Sequence, residues 1–204
     1  MIIYLVFVTA GLMLFGAFAY IRSMFKGHAK PNRVSWLMWA IAPFIATAAA
    51  VSSGVGWSVL PVFMAGFSPF LIFCFSFAIK KAYWKLATFD YVCGILSGLS
   101  LVFWYLTKNP DVAILFAIAS DGLASIPTIK KALSCPETES IWPYITGTFG
   151  ALSSLLTLVV WTFSGYAFPA YLIFINAVLL ISIYKKQLET LVNRIFRRRL
   201  HTFS

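Results

Sequence analysis

The sequence predicts an all-α, polytopic membrane protein with seven transmembrane helices. Three observations predict it. Only 11% of the 204 residues are charged and 61% are hydrophobic, where soluble domains carry about 25% charged residues. The mean hydropathy of +0.88 leaves no polar coat for a water-borne globule. The apolar residues also fall into runs of about 20, the length that crosses a bilayer core. A β-barrel would show alternating polar and apolar positions, and these runs do not alternate.

The runs are 2–22, 34–53, 57–79, 88–107, 111–130, 141–163 and 166–184. Short breaks with turn or charge signals divide them: Lys26-Gly27-His28, Ser53-Gly54, Lys80-Lys81, Asn109-Pro110, Cys135-Pro136-Glu137 and Ser164-Gly165. Span 1 has its positive charges after the apolar run, which is not the order of a cleavable signal peptide. Span 4 carries Gly94-x-x-x-Gly98 beside Ser97, a small-residue face suited to helix packing. Span 6 carries Thr146, Gly150, Ser153 and Thr157 on one face, which reads as close packing rather than a pore lining. Trp36, Trp39, Trp57, Trp142 and Trp161 sit toward span ends, mostly as interfacial anchors, with Trp39 one turn inward toward any cavity. Beyond span 7, Leu188, Leu191, Val192, Ile195 and Phe196 recur at helical spacing among Arg and Lys. That pattern predicts a C-terminal amphipathic helix on the anionic cytoplasmic leaflet.

Basic residues orient the chain. With seven spans, 15 of the 16 Lys and Arg fall on one side, and only Lys108 falls on the other. The expected N-terminus is outside and the C-terminus cytoplasmic, in a plasma membrane of the bacterial inner-membrane type. The net charge of +10 then reflects topology, not nucleic-acid binding. Three cysteines and two isolated histidines form no ligand cluster, so no metal and no cofactor are expected. One deep carboxylate without a nucleophile–base pair or a Gly-rich phosphate loop argues against an enzyme. Self-association into a homo-oligomer is compatible with the sequence and not required by it.

The chain also resembles itself. Residues 16–51 slide onto 121–156 without gaps: Ala19 meets Ala124, Lys26 meets Lys131, Pro31 meets Pro136 and Ser35 meets Ser140. Spans 1–3 therefore look like spans 5–7. Three spans are an odd number, so a further helix is needed to return the second copy to the same orientation. The expected units are a first three-helix bundle, 1–83, a linker helix 4, 84–108, a second bundle, 109–184, and a basic tail, 185–204. Parallel repeats about an axis along the membrane normal are one known transporter plan.

Ala124-Ser125-Ile126-Pro127-Thr128-Ile129-Lys130-Lys131, followed by Glu139-Ser140-Ile141-Trp142, resembles a PQ-loop motif, with Thr128 where that motif has Gln. In the first repeat Lys30-Pro31-Asn32-Arg33-Val34-Ser35-Trp36 keeps the loop and the helix start. The layout is similar to that of the SWEET and PQ-loop (MtN3-like) membrane proteins, nearest to an uncharacterised bacterial branch. The resemblance implies a 3+1+3 fold, hinge prolines at Pro127, Pro43 and Pro143, and an Asn facing solute on each of helices 3 and 7, the first of which is replaced by Ser in this chain. Those positions hold Ser68 and Asn176 here.

Asp121 lies about eleven residues into span 5, roughly 16 Å deep at 1.5 Å per residue. An ionisable group at that depth is a functional hypothesis by default. It heads a stripe of small and polar residues, Ala117, Asp121, Ala124, Ser125 and Thr128. It fits either a coupling proton or cation, or a hydrogen bond to polar solute. The expected substrate-binding set is Asn176, Asp121, Ser68, Trp39 and Ser125. The expected function is alternating-access transport of a sugar or other small polar metabolite. The alternatives are a non-transporting receptor or partner subunit of the same fold, and a vitamin carrier of the PnuC kind.

Overall fold

The computed structural model describes residues 3–79, 84–107 and 109–201, and these contain no strand. Seven α-helices follow one another among them: α1 (Tyr4–Phe25), α2 (Arg33–Ser52), α3 (Leu60–Ala78), α4 (Thr88–Thr107), α5 (Pro110–Ser134), α6 (Trp142–Leu156) and α7 (Phe163–His201). Short 3-10 turns precede α3 (Trp57–Val59) and α6 (Pro136–Thr138). Among the described residues, five helical segments are long and apolar enough to cross a membrane: α1, α2, α3 with its opening turn, α5, and α7 through Lys185. That is the make-up of a multi-pass membrane protein. α4 has 20 residues. α6 has only 15, about 22 Å at 1.5 Å per residue, short of a ~30 Å hydrocarbon core.

Local chemistry explains the helix ends. The Asn32 side chain accepts from the Val34 and Ser35 backbone N–H groups and starts α2. Asn109 does the same for α5 through Asp111 and Val112, satisfying donors that have no partner within the helix. Gly27 and Gly54, at φ 75° and 82°, turn the chain after α1 and α2 in a conformation other residues resist. Pro61 and Pro143 lie in the first turns of α3 and α6, where the missing N–H costs nothing.

Three boundaries depart from the sequence reading. α6 stops at Leu156, not 163. Its last turn is tied to the turn before α3: the Ser58 hydroxyl donates to the Thr157 carbonyl at 2.7 Å, and the Ser154 hydroxyl to the Ser58 carbonyl at 2.5 Å. α5 runs on to Ser134, so Lys130 and Lys131 belong to a helix rather than a loop. α7 continues unbroken to His201, so the tail is an extension of that helix and not a separate one. The apolar stripe expected at Leu188, Leu191, Val192, Ile195 and Phe196 concerns side chains outside those described, as do Lys80, Lys81, Lys108 and the side chain of Ser97.

α3 packs on both α1 and α2, and α7 packs on both α5 and α6. The two groups meet where α1 lies on α6 and α2 on α5, with smaller contacts between α3 and α6 and between α2 and α7. Exchanging α1, α2 and α3 for α5, α6 and α7 maps these contacts onto themselves. α4 packs mainly on α5 and less on α2. A Cβ on Gly94 would press on Val34 of α2, whereas Gly98 faces open space. At one end of the bundle Arg33 reaches the Ser76 carbonyl at 2.6 Å, and Lys30 N–H donates to the Thr138 carbonyl at 3.0 Å. At the other end Phe7 meets Trp57, ring centroids 5.4 Å apart. The basic residues at the ends of α1, α5 and the 1–2 connection therefore gather at one end.

Candidate functional site

A cavity of about 60 Å³ lies among six helices. Met13 comes from α1, Trp36 and Trp39 from α2, Ala65, Ser68 and Pro69 from α3, and Asp121 from α5. α6 gives Pro143, Tyr144, Thr146 and Gly147, and α7 gives Leu172, Ile175, Asn176 and Leu179. Pockets that hold drug-sized ligands measure about 300–1,000 Å³, so this one is small. Both helix groups line it, and the lining residues of α1, α3, α5 and the Phe163–Lys185 part of α7 fall in the middle of those segments.

Four of the five expected binding residues line this one space: Asn176, Asp121, Ser68 and Trp39. Ser125 stands behind them. Its hydroxyl donates to the Asp121 carbonyl at 2.8 Å and accepts from Trp39 Nε1 at 3.0 Å, so it holds the indole across the α2–α5 contact. Among the expected hinges, Pro143 lines the cavity, while Pro43 and Pro127 are buried within α2 and α5 outside the lining. Both of those helices run on through their prolines. Trp36, grouped above with the interfacial anchors, is 1% exposed and lines the cavity, and its Nε1 has no hydrogen bond among the described residues. Trp57, Trp142 and Trp161 are exposed.

The polar groups differ in how far they are satisfied. Asp121 is 2% exposed. One carboxylate oxygen, Oδ2, accepts from the Tyr171 hydroxyl at 2.8 Å; the other has no hydrogen bond among the described residues. Asn176, 9% exposed, also makes none. An amide carries two donors and an acceptor, so both groups keep free bonding capacity at the cavity wall. Ser68 donates only a long bond, 3.4 Å, to the Met13 carbonyl. Thr146 is turned back on its own helix, donating to the Trp142 carbonyl at 2.9 Å.

No family model, curated protein or solved structure matches the chain. Its site is therefore read from its own chemistry.

Behind the cavity, at the basic end, lies a buried ion pair that the sequence reading did not find. Lys131 Nζ is 2.5 Å from Glu139 Oε1, with the two side chains 1% and 0% exposed. Glu139 Oε2 accepts from Tyr20 of α1 and from Tyr144 of α6, each at 3.1 Å. Lys131 also donates to the Lys30 carbonyl and sits 4.9 Å from the centroid of the Trp84 ring. Nearby, Thr128 donates to Ser35 at 2.9 Å, joining α5 to α2. Tyr144 lines the cavity on one side and binds Glu139 on the other, and Tyr20 packs on the cavity residue Trp36, ring centroids 4.7 Å apart. The pair thus ties together residues from both halves directly behind the cavity wall. The sequence signal was a Lys and a Glu flanking a short connection, residues read above as topology markers and loop motif.

The expected packing face of α6 is seen at Gly150 and Ser153, whereas Thr146 lines the cavity and Thr157 lies just past the end of the helix. Ser153 meets Thr9 at 2.7 Å, and a Cβ on Gly150 or Gly16 would collide with Met13 or Thr146 respectively. Among the described residues no group of three or more His, Cys, Asp or Glu is placed to hold a metal ion.

Proposed function

We propose that the chain is a small-solute membrane transporter working by alternating access, with two parallel three-helix bundles joined by α4 in a SWEET-like 3+1+3 plan. The single observation that carries this reading is the cavity. It lies between the two helix groups and gathers Asp121, Asn176 and Ser68 with unused hydrogen-bonding capacity. Midplane sites at a repeat interface are how carriers of this kind bind. The exchange symmetry of the helix contacts supports the repeat. The gathering of basic residues at one end supports a cytoplasmic C-terminus and an outside N-terminus, in a bacterial inner membrane.

In this reading the Lys131–Glu139 cluster closes the cytoplasmic end, and the Thr9–Ser153 and Ser58–Thr157 contacts close the outer end. Transport needs each set to open in turn while the other holds. The test is uptake of labelled sugars, amines and nucleosides into proteoliposomes. Asn176→Ala is expected to raise the half-saturating concentration about tenfold, the loss of roughly one good hydrogen bond, with little change in maximal rate. Uptake no greater than that of empty liposomes across the panel would overturn the carrier reading and leave the receptor or partner-subunit reading in its place.

A further inference from the structure

We infer that the cavity selects a small organic cation, an amine or quaternary ammonium without a carboxylate, held by Asp121 beside a box of Trp36, Trp39 and Tyr144. This rests on the cavity being a solute site and narrows its substrate class.

The charge of the lining comes first. Among the described lining residues there is one carboxylate, Asp121, and no Lys, Arg or His. Among the described residues that carboxylate has no ion-pair partner; one oxygen is taken by Tyr171, and the other makes no hydrogen bond. As an anion, a buried carboxylate in this condition is costly unless a cation or several donors approach it; with none it is relieved by taking up a proton, which an approaching cation would displace. The one buried ammonium among the described residues, Lys131, is already committed to Glu139.

The aromatic residues point the same way. The Trp36 and Trp39 rings stand at 79° with centroids 5.2 Å apart. Trp39 and Tyr144 stand at 83° with centroids 6.2 Å apart. These edge-to-face contacts gather three rings along one wall of the space, and a ring face left open to the cavity attracts a desolvated cation. Ser125 fixes the central ring through its indole N–H. The rest of the wall is largely apolar, with Met13, Leu172 and Ile175, which suits methyl or methylene groups. Asn176 then remains for one hydroxyl or N–H of the guest.

The same lining disfavours the other candidates. A sugar presents many hydroxyls, and the wall offers few polar atoms to meet them. A zwitterionic amino acid brings a carboxylate, and no cationic lining residue is there to receive it.

The probes are choline, tetramethylammonium and dimethylbutanol, the neutral carbon isostere of choline, with glycine and glucose as further controls. Binding to the full chain in detergent is read by thermal unfolding and by tryptophan fluorescence. The ammonium probes are expected to raise the melting temperature in a concentration-dependent way and to quench fluorescence; dimethylbutanol, glycine and glucose are expected to do neither. Asp121→Asn and Trp39→Leu should each weaken choline binding about tenfold or more, and Trp39→Phe should recover part of the loss, since a ring face is restored. Equal binding of choline and its neutral isostere by the unaltered protein would overturn the inference, whatever the variants do. So would unchanged choline affinity in folded Asp121→Asn. Ammonium binding without any uptake would remove the carrier reading and keep the cation site. Uptake of a neutral solute, lost in Asn176→Ala, with no ammonium binding would do the reverse.

Discussion

Lys131→Met should lower the stability of the protein by about 3–5 kcal/mol, the cost of breaking a buried ion pair by removing one partner. The cost comes from what is left behind. Glu139 stays fully buried, and its carboxylate keeps only the Tyr20 and Tyr144 hydroxyls as donors. The Lys30 carbonyl loses its partner as well. The double change Lys131→Met with Glu139→Leu should recover a large part of the loss, because a well-packed apolar pair replaces a buried ion pair at little or no cost. It should not recover all of it, since Tyr20 and Tyr144 would then lack an acceptor. Thermal unfolding in detergent of the two variants beside the parent checks the order. A single variant as stable as the parent would show that the pair does not hold this end together.

The same variant has a local readout. Cys135 lies between Lys131 and Glu139 in the chain and is only partly exposed, while Cys74 is exposed and Cys93 buried. With Cys74 replaced by Ser, thiol labelling of Cys135 should be faster in Lys131→Met than in the parent, because the connection it belongs to is no longer pinned. An unchanged rate would separate stability from closure and remove the pair from the gating scheme.

The existence of the helices was legible because each apolar run is long and bounded by Gly, Pro, Asn or charge. Their ends were less so. α6 ends where Ser58, nearly a hundred residues earlier, bonds its last turn, and no local signal announces such a partner. The sequence predicts the end of span 7 at Lys185-Lys186, where charge begins. Charge does not end a helix, however, and the Lys, Gln, Leu, Glu and Arg that follow are good helix formers. A Lys at a span end reads as a topology marker, and nothing local in the sequence distinguishes Lys131, half of a buried pair, from Lys130 beside it. The candidate site was legible where a polar residue interrupts an apolar run: Asp121, Asn176 and Ser68 are conspicuous for that reason. Tyr171 and Tyr144 were not, since a tyrosine in a span draws no notice and its partner is known only from the fold.

Gly147→Leu should abolish binding and uptake, by about a hundredfold or more, while the helices stay folded, because the added carbons enter a space of about 60 Å³ that Gly147 lines. An ideal Cβ at this position lies 3.0 Å from Asn176 Nδ2, its nearest neighbour. That neighbour is the end of a side chain, which can yield by a few tenths of an ångström. Gly147→Ala should therefore fold normally and weaken binding only modestly by displacing the amide. Gly66 is the control, since the wall it meets is of another kind. A Cβ there lies 2.9 Å from the Ala40 carbonyl oxygen and 3.0 Å from the Phe44 ring. A backbone oxygen cannot yield without moving α2, so Gly66→Ala should cost about 1–3 kcal/mol and leave the affinity of the folded fraction near that of the parent. The two glycines thus separate stability from occupancy with the same kind of substitution. If folded Gly147→Leu bound solute as the parent does, this cavity would not be where the solute sits, whatever its polar lining offers.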